Sequence, residues 1–194
     1  YVYSSSSRYR VVEAEWVSDK EISIGDQPKM YVWLEITDSD SDTEYKFRSS
    51  YSSSSVSVSG GEYVSSTKQG GDLRVTIRVD GVKGTYDEPE YAEWRGSKGR
   101  AVWEPGEDSS NYYDVYLYRR STIVKKVEDY NGESYDFYPY MTQAGDYSFK
   151  VRAVPHSDSE KQYGKKSDWT ESGELYIGED EVSDGSGQEG TPGN

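Results

Sequence analysis

Alternation with a period of two runs through the first half of the chain. Met30, Val32, Leu34 and Ile36 fall on one face of an extended segment, while Tyr31, Trp33, Glu35 and Thr37 fall on the other. Leu73, Val75, Ile77 and Val79 repeat the pattern, with Arg74, Thr76 and Arg78 opposite them. Strands with one buried face read this way, because successive side chains point to opposite sides of a sheet. Shorter strands are predicted over 10–17, 44–47 and 56–58. Between them lie Gly25-Asp-Gln-Pro28, the serine run 52–55, and the pairs Gly60-Gly61 and Gly70-Gly71, all turn-forming. No window carries a helical period.

A second pattern starts after the polar, turn-prone stretch 84–89, which places a domain boundary near residue 88. Strands are predicted over 92–94, 100–104, 112–119, 123–128, 134–137, 146–154 and 174–177. That number of short strands suits one immunoglobulin-like sandwich of about 100 residues. From Gly178 the chain is Gly, Ser and acid with one apolar side chain, so 178–194 is expected to be a flexible acidic linker. The expected fold class is all-β: an immunoglobulin-like sandwich over 1–88, a second sandwich over 89–177, and the disordered tail.

Composition changes this picture in one respect. Hydrophobic residues make up 32% and charged residues 30% of 194, which taken alone would suit a disordered chain. The 20 Tyr and 5 Trp reverse that expectation, since each ring buries a large area and anchors a core poor in aliphatics. The net charge of −14, with no basic stripe, argues against a nucleic-acid partner. With no cysteine, disulfides and thiolate chemistry are excluded. No apolar run approaches the ~20 residues a membrane span needs. The chain opens at Tyr1 without Met and reads as a mature or excised piece, with any export signal lying outside it.

One constellation resembles a known family. Met141-Thr-Gln-Ala-Gly-Asp-Tyr147-Ser-Phe-Lys-Val151-Arg-Ala153 is similar to the corner and sixth strand of fibronectin type III domains, with Met141, Tyr147, Val151 and Ala153 matching by position. Ala101-Val-Trp103-Glu-Pro105 resembles the family's second strand, with Trp103 between the sheets. Tyr113-Asp-Val115-Tyr-Leu117 resembles its third, and Ser167-Asp-Trp169-Thr its approach to the last. The resemblance covers residues ~90–177 and implies that the Tyr147 hydroxyl bonds a backbone group upstream. More narrowly, the runs around 134–154 and 166–177 resemble exported proteins of gut Firmicutes. In those, a pair of β domains precedes an acidic linker and cell-wall-binding repeats of the choline- or glucan-binding kind. The resemblance implies an extracellular, wall-associated protein.

Candidate chemistry is sparse. The one histidine, His156, falls in a polar loop after Pro155, and no serine sits in a nucleophile-elbow pattern, so no enzyme is expected. Asp38, Asp40 and Asp42 alternate as in a calcium loop. Thr43 and Ser49 stand where such a loop needs Gly and Glu, so a polar turn is expected, with calcium the weaker alternative and no cofactor required. The aromatic faces remain: Tyr31 with Trp33, and Tyr112 with Tyr116 and Tyr118. Exposed rings stack on sugars or anchor protein interfaces. The expected function is a non-catalytic adhesion or spacer module binding a cell-wall glycan or a host or bacterial surface protein, as a monomer. The alternative is a carbohydrate-binding module using those rings.

Overall fold

A computed structural model describes residues 1–37 and 45–188. The protein is all-β with one short helix, and it divides into two compact units, Tyr1–Val82 and Lys83–Asn194. The division falls ahead of the boundary expected at residue 88. Residues 84–89 belong to the second unit, where Tyr86 and Pro89 are buried.

The first unit is one antiparallel sheet of β1 (Tyr9–Trp16), β2 (Lys29–Ile36), β3 (Gly61–Gln69) and β4 (Asp72–Val79), in the order β1-β2-β4-β3. Its register sets Val32 opposite Val75 and Leu34 opposite Leu73, so the alternating apolar residues of β2 and β4 share one face. Phe47 and Tyr51 come down from the segment after β2 onto Leu73 and Val75, and Tyr9, Ile36, Tyr63 and Ile77 pack around them. Where the sequence predicts an immunoglobulin-like sandwich, the described residues therefore form a single sheet with a loop cover. The predicted strands at 44–47 and 56–58 are not strands among the described residues. There the serines bond their own backbone instead: Ser55 N–H and Oγ both donate to the Ser52 carbonyl, at 2.9 and 2.8 Å, closing a 3-10 turn over Ser53–Ser55.

In the second unit two sheets face each other. The smaller contains β6 (Tyr91–Trp94), β7 (Arg100–Glu104) and β10 (Ser134–Asp136) in the order β10-β7-β6. The larger contains β8 (Tyr113–Arg119), β9 (Thr122–Tyr130), β11 (Gly145–Ala153), β13 (Thr170–Glu171) and β14 (Leu175–Ile177). Its order is β9-β8-β11, with β13 and β14 pairing two stretches of the same β11 edge. Two further short strands, β5 (Gly84–Thr85) and β12 (Gly164–Lys165), pair in parallel and tie the start of the unit to its last third.

Aromatics fill the space between the sheets. Trp103, Tyr113, Tyr135, Phe137, Tyr147 and Phe149 are fully buried, as are Met141, Val151 and Ala153. Trp103 meets Tyr113 edge-on at 5.6 Å, and Trp94 meets Phe149 at 4.8 Å, pairings that add to the burial of the rings. At the corner entering β11, the Tyr147 hydroxyl donates to the Gln143 carbonyl at 2.7 Å.

Two departures concern loops. Residues 158–163, expected to be an irregular polar loop, form α1 (Asp158–Tyr163), started by a reciprocal cap between Ser157 and Glu160. Residues from Gly178 to Gln188, expected to be a flexible linker, lie against the unit instead. Ser183 is buried and its N–H donates to the Met141 carbonyl at 3.0 Å. The Tyr138 and Tyr140 hydroxyls reach the Glu181 and Gln188 carbonyls at 3.1 and 2.7 Å, and Lys98 pairs with Glu181 at 2.6 Å. Backbone-to-hydroxyl bonds do what apolar side chains could not. The rest of the expected linker, residues 189–194, lies outside the described residues.

Candidate functional site

The outer face of the larger sheet in the second unit is built by alternation. With Tyr113, Val115 and Leu117 of β8 turned into the core, Asp114, Tyr116 and Tyr118 turn outward. The β11 register places Arg152 opposite Asp114, Lys150 opposite Tyr116 and Ser148 opposite Tyr118. On the other side of β8, Lys126 of β9 lies opposite Tyr116.

These neighbours make one connected row. Arg152 donates to the Asp114 carboxylate through Nε and Nη2, at 3.1 and 2.9 Å, and Lys166 donates to the same oxygen at 2.9 Å. The Asp114 side chain is only 3% exposed, so both cations are held by a carboxylate that water hardly reaches. The Arg152 guanidinium also lies 4.2 Å from the centre of the Trp169 ring, and Trp169 meets Tyr116 at 4.9 Å. Lys126 sits 4.9 Å from the Tyr116 ring, and the Tyr116 hydroxyl donates to Glu128 at 2.5 Å. Burial first, and then that bond to Glu128, push the Tyr116 hydroxyl up to about 12, so it remains a donor at neutral pH. Lys150 bridges Tyr118, at 5.5 Å from the ring, and Glu171, at 3.2 Å. Cations on ring faces of this kind are worth about 0.5–2 kcal/mol each, depending on desolvation.

Tyr116 and Tyr118 therefore share the face, but Tyr112 does not join them. It precedes β8, and its ring stacks flat on His156, 3.6 Å away and 3° from parallel. His156 Nδ1 is in turn hydrogen-bonded to Asp129 at 2.8 Å. Trp169, Arg152 and Lys166 are the members of the row that alternation in β8 alone does not disclose. The signal for Arg152 and Lys150 was present in β11, whose outward positions are charged. Trp169 and Lys166 lie in an irregular segment with no period to read.

In the first unit, Tyr31 and Trp33 do share the outward face of β2. Their rings meet edge to face, 5.8 Å apart at 73°, with Arg74 4.4 Å over Tyr31 and Trp33 Nε1 donating to Gln69 at 3.3 Å. An open groove of about 310 Å3 lies elsewhere in this unit, along the 17–29 loop, lined by Val17, Lys20, Ile22 and Pro28 among others. None of the candidate aromatics reaches it. Asp38, Asp40 and Asp42 lie outside the described residues, and among the described ones no three His, Asp or Glu groups converge as metal ligands would.

Compared with known proteins, the chain matches no family model, and no curated protein is similar to it.

Proposed function

We propose that this chain is a non-catalytic adhesion and spacer module of an extracellular, wall-associated protein, its second unit a fibronectin type III-like domain. It binds a surface protein or glycan through the outer face of the larger sheet. The observation that carries this reading is the row from Lys166 through Asp114, Arg152 and Trp169 to Tyr116, Lys126 and Glu128. Such a row sets the part-exposed Trp169 and its cations in one fixed arrangement, and aromatic rings and arginines are the residues from which interface hot spots are most often made. Its cations suit an acidic partner. The domain assignment draws support from the sheet order and from the Tyr147 hydroxyl bonded back to Gln143 at the corner.

The ring geometry favours a protein or acidic partner over a neutral sugar. A sugar stacks on an open ring face, whereas Arg152, Lys126 and Arg74 already lie over Trp169, Tyr116 and Tyr31. The Tyr31 and Trp33 planes also cross at 73° rather than forming one platform.

The test is binding of the purified chain to immobilised cell-wall polymers, extracellular-matrix proteins and a glycan array, with Trp169→Ala beside the wild type. Saturable binding that Trp169→Ala weakens by roughly tenfold or more supports the reading. Equal binding by the variant, or none by either chain, sinks it.

A further inference from the structure

The strand β9 ends the larger sheet, and among the described residues β8 is its only backbone partner. Its outer side is a row of backbone donors and acceptors open to another strand. Ile123 and Val124, at 42% and 38% exposure, leave apolar surface beside it. Edges of this kind are normally blunted, and β9 is blunted at both ends. Val124 is bulged out of the pairing with β8, and Asp129 takes a left-handed φ of 55° while bonded to His156. Between these irregularities the pairing is regular: Lys125, Lys126 and Val127 lie opposite Leu117, Tyr116 and Val115.

The charges on that stretch and just beyond it are arranged as their own complement. The run Lys125-Lys126-Val127-Glu128-Asp129 reads as two bases, a valine and two acids. An antiparallel copy centred on Val127 meets it with Lys126 opposite Glu128, twice, while Asp129, with its left-handed backbone and its bond to His156, falls outside the pairing. Two-fold pairing of identical sheet edges keeps each face on its own side, so the centre must fall on a residue. Centring on Lys125, Lys126, Glu128 or Asp129 sets like charges directly opposite each other, which destabilises a strand pair. Only the Val127 register within this stretch avoids that.

We propose that β9 is a homotypic docking edge: two copies of this chain join by antiparallel β9–β9 pairing centred on Val127, extending the larger sheet across the dimer. Lys126 and Glu128 reach across on the outer face, and the two Val127 side chains meet at the dyad. Backbone hydrogen bonds hold the pair together and the charges select its register. This inference does not depend on the adhesion reading; its variants change Lys126 and Glu128 of the row, but the readout is self-association of the chain and not binding to a partner.

Sedimentation equilibrium over a wide concentration range reads the association directly. The wild type is expected to pass reversibly from monomer to dimer. Lys126→Glu and Glu128→Lys each place like charges opposite across the dyad and should weaken self-association by about tenfold. Mixing the two variants restores opposite charges in a heterodimer. The double variant K126E/E128K restores them in a homodimer, and both should associate about as tightly as the wild type. Hydrogen exchange of the intact wild-type chain supplies a readout free of substitutions, with β9 amides gaining protection as concentration rises. A wild type that stays monomeric overturns the proposal. So do charge-reversed variants that dimerise unimpaired, a mixture that fails to recover, or β9 amides indifferent to concentration.

Discussion

Asp114 holds two cations on the outer sheet face while nearly sealed from water. Removing a buried partner leaves its counter-charges unpaired, at a cost of about 3–5 kcal/mol when all groups are buried. Here Arg152 is 22% and Lys166 48% exposed, so solvent takes back part of that penalty. Asp114→Ala should lower the unfolding free energy by about 2 kcal/mol in urea titration, and Lys166→Ala by less than about 1 kcal/mol. Equal effects from the two would show that the carboxylate is not the organising group. A second residue-scale test is Tyr147→Phe, which deletes only the hydroxyl that bonds the Gln143 carbonyl. A loss of about 1 kcal/mol in the same titration is expected, and no loss would mean that the corner is held by ring packing alone.

Among the elements, the regular strands were legible and the hydrogen-bonded loops were not. The faces of β2, β4 and β8 follow directly from alternating residues, because burial of one face leaves a period of two in the sequence. β3 leaves no such period, because its inward positions are Tyr63, Ser66 and Lys68 and a bulge at Val64 interrupts the alternation. In α1 the reason is length, since six residues leave no helical period. Only the Ser157-x-x-Glu160 pair announces it. The segment from Gly178 to Gln188 has too few apolar residues to predict anything but a linker, yet it is held by tyrosine hydroxyls and a buried serine. Its contribution can be measured by comparing chains ending at Ile177 and at Gln188. The shorter chain should unfold about 1–2 kcal/mol more easily, as expected from losing a few net hydrogen bonds. Of the candidate site, Tyr116 and Tyr118 could be read from the strand pattern. Tyr112's departure to His156 could not, because it depends on where the loop after β11 returns.

Over the whole molecule, the second unit carries its phenols in a way that sets its response to alkali. Burial is the leading cause raising the hydroxyls of Tyr86, Tyr113, Tyr116, Tyr130 and Tyr135 above the ordinary phenol value. In the unfolded chain they release protons near pH ~10, before the folded chain does. The stability they contribute is therefore complete below that pH and declines as pH rises through their folded values. Urea midpoints for the second unit should hold up to about pH 9 and fall from about pH 10 upward, the last part of the tyrosinate absorbance appearing together with loss of near-UV dichroism. Complete ionisation of every tyrosine with the near-UV dichroism intact would show that these five phenols are not sealed.

The far edge of the same sheet is broken where β9 is continuous. β13 stops at Glu171 and β14 begins at Leu175, and in the gap the buried Ser172 supplies what a strand would have supplied, its hydroxyl accepting the Phe149 N–H at 2.9 Å. Ser167 does the same for the Ala153 N–H. With β11 N–H groups taken by serines and the outer strand split into two and three residues, this margin offers no continuous template to an incoming strand. Pairing through β9, as proposed, would meet no matching strand on the opposite margin of the same sheet, so the interruption that looks like a defect in the last strand would act as a stop for that one sheet.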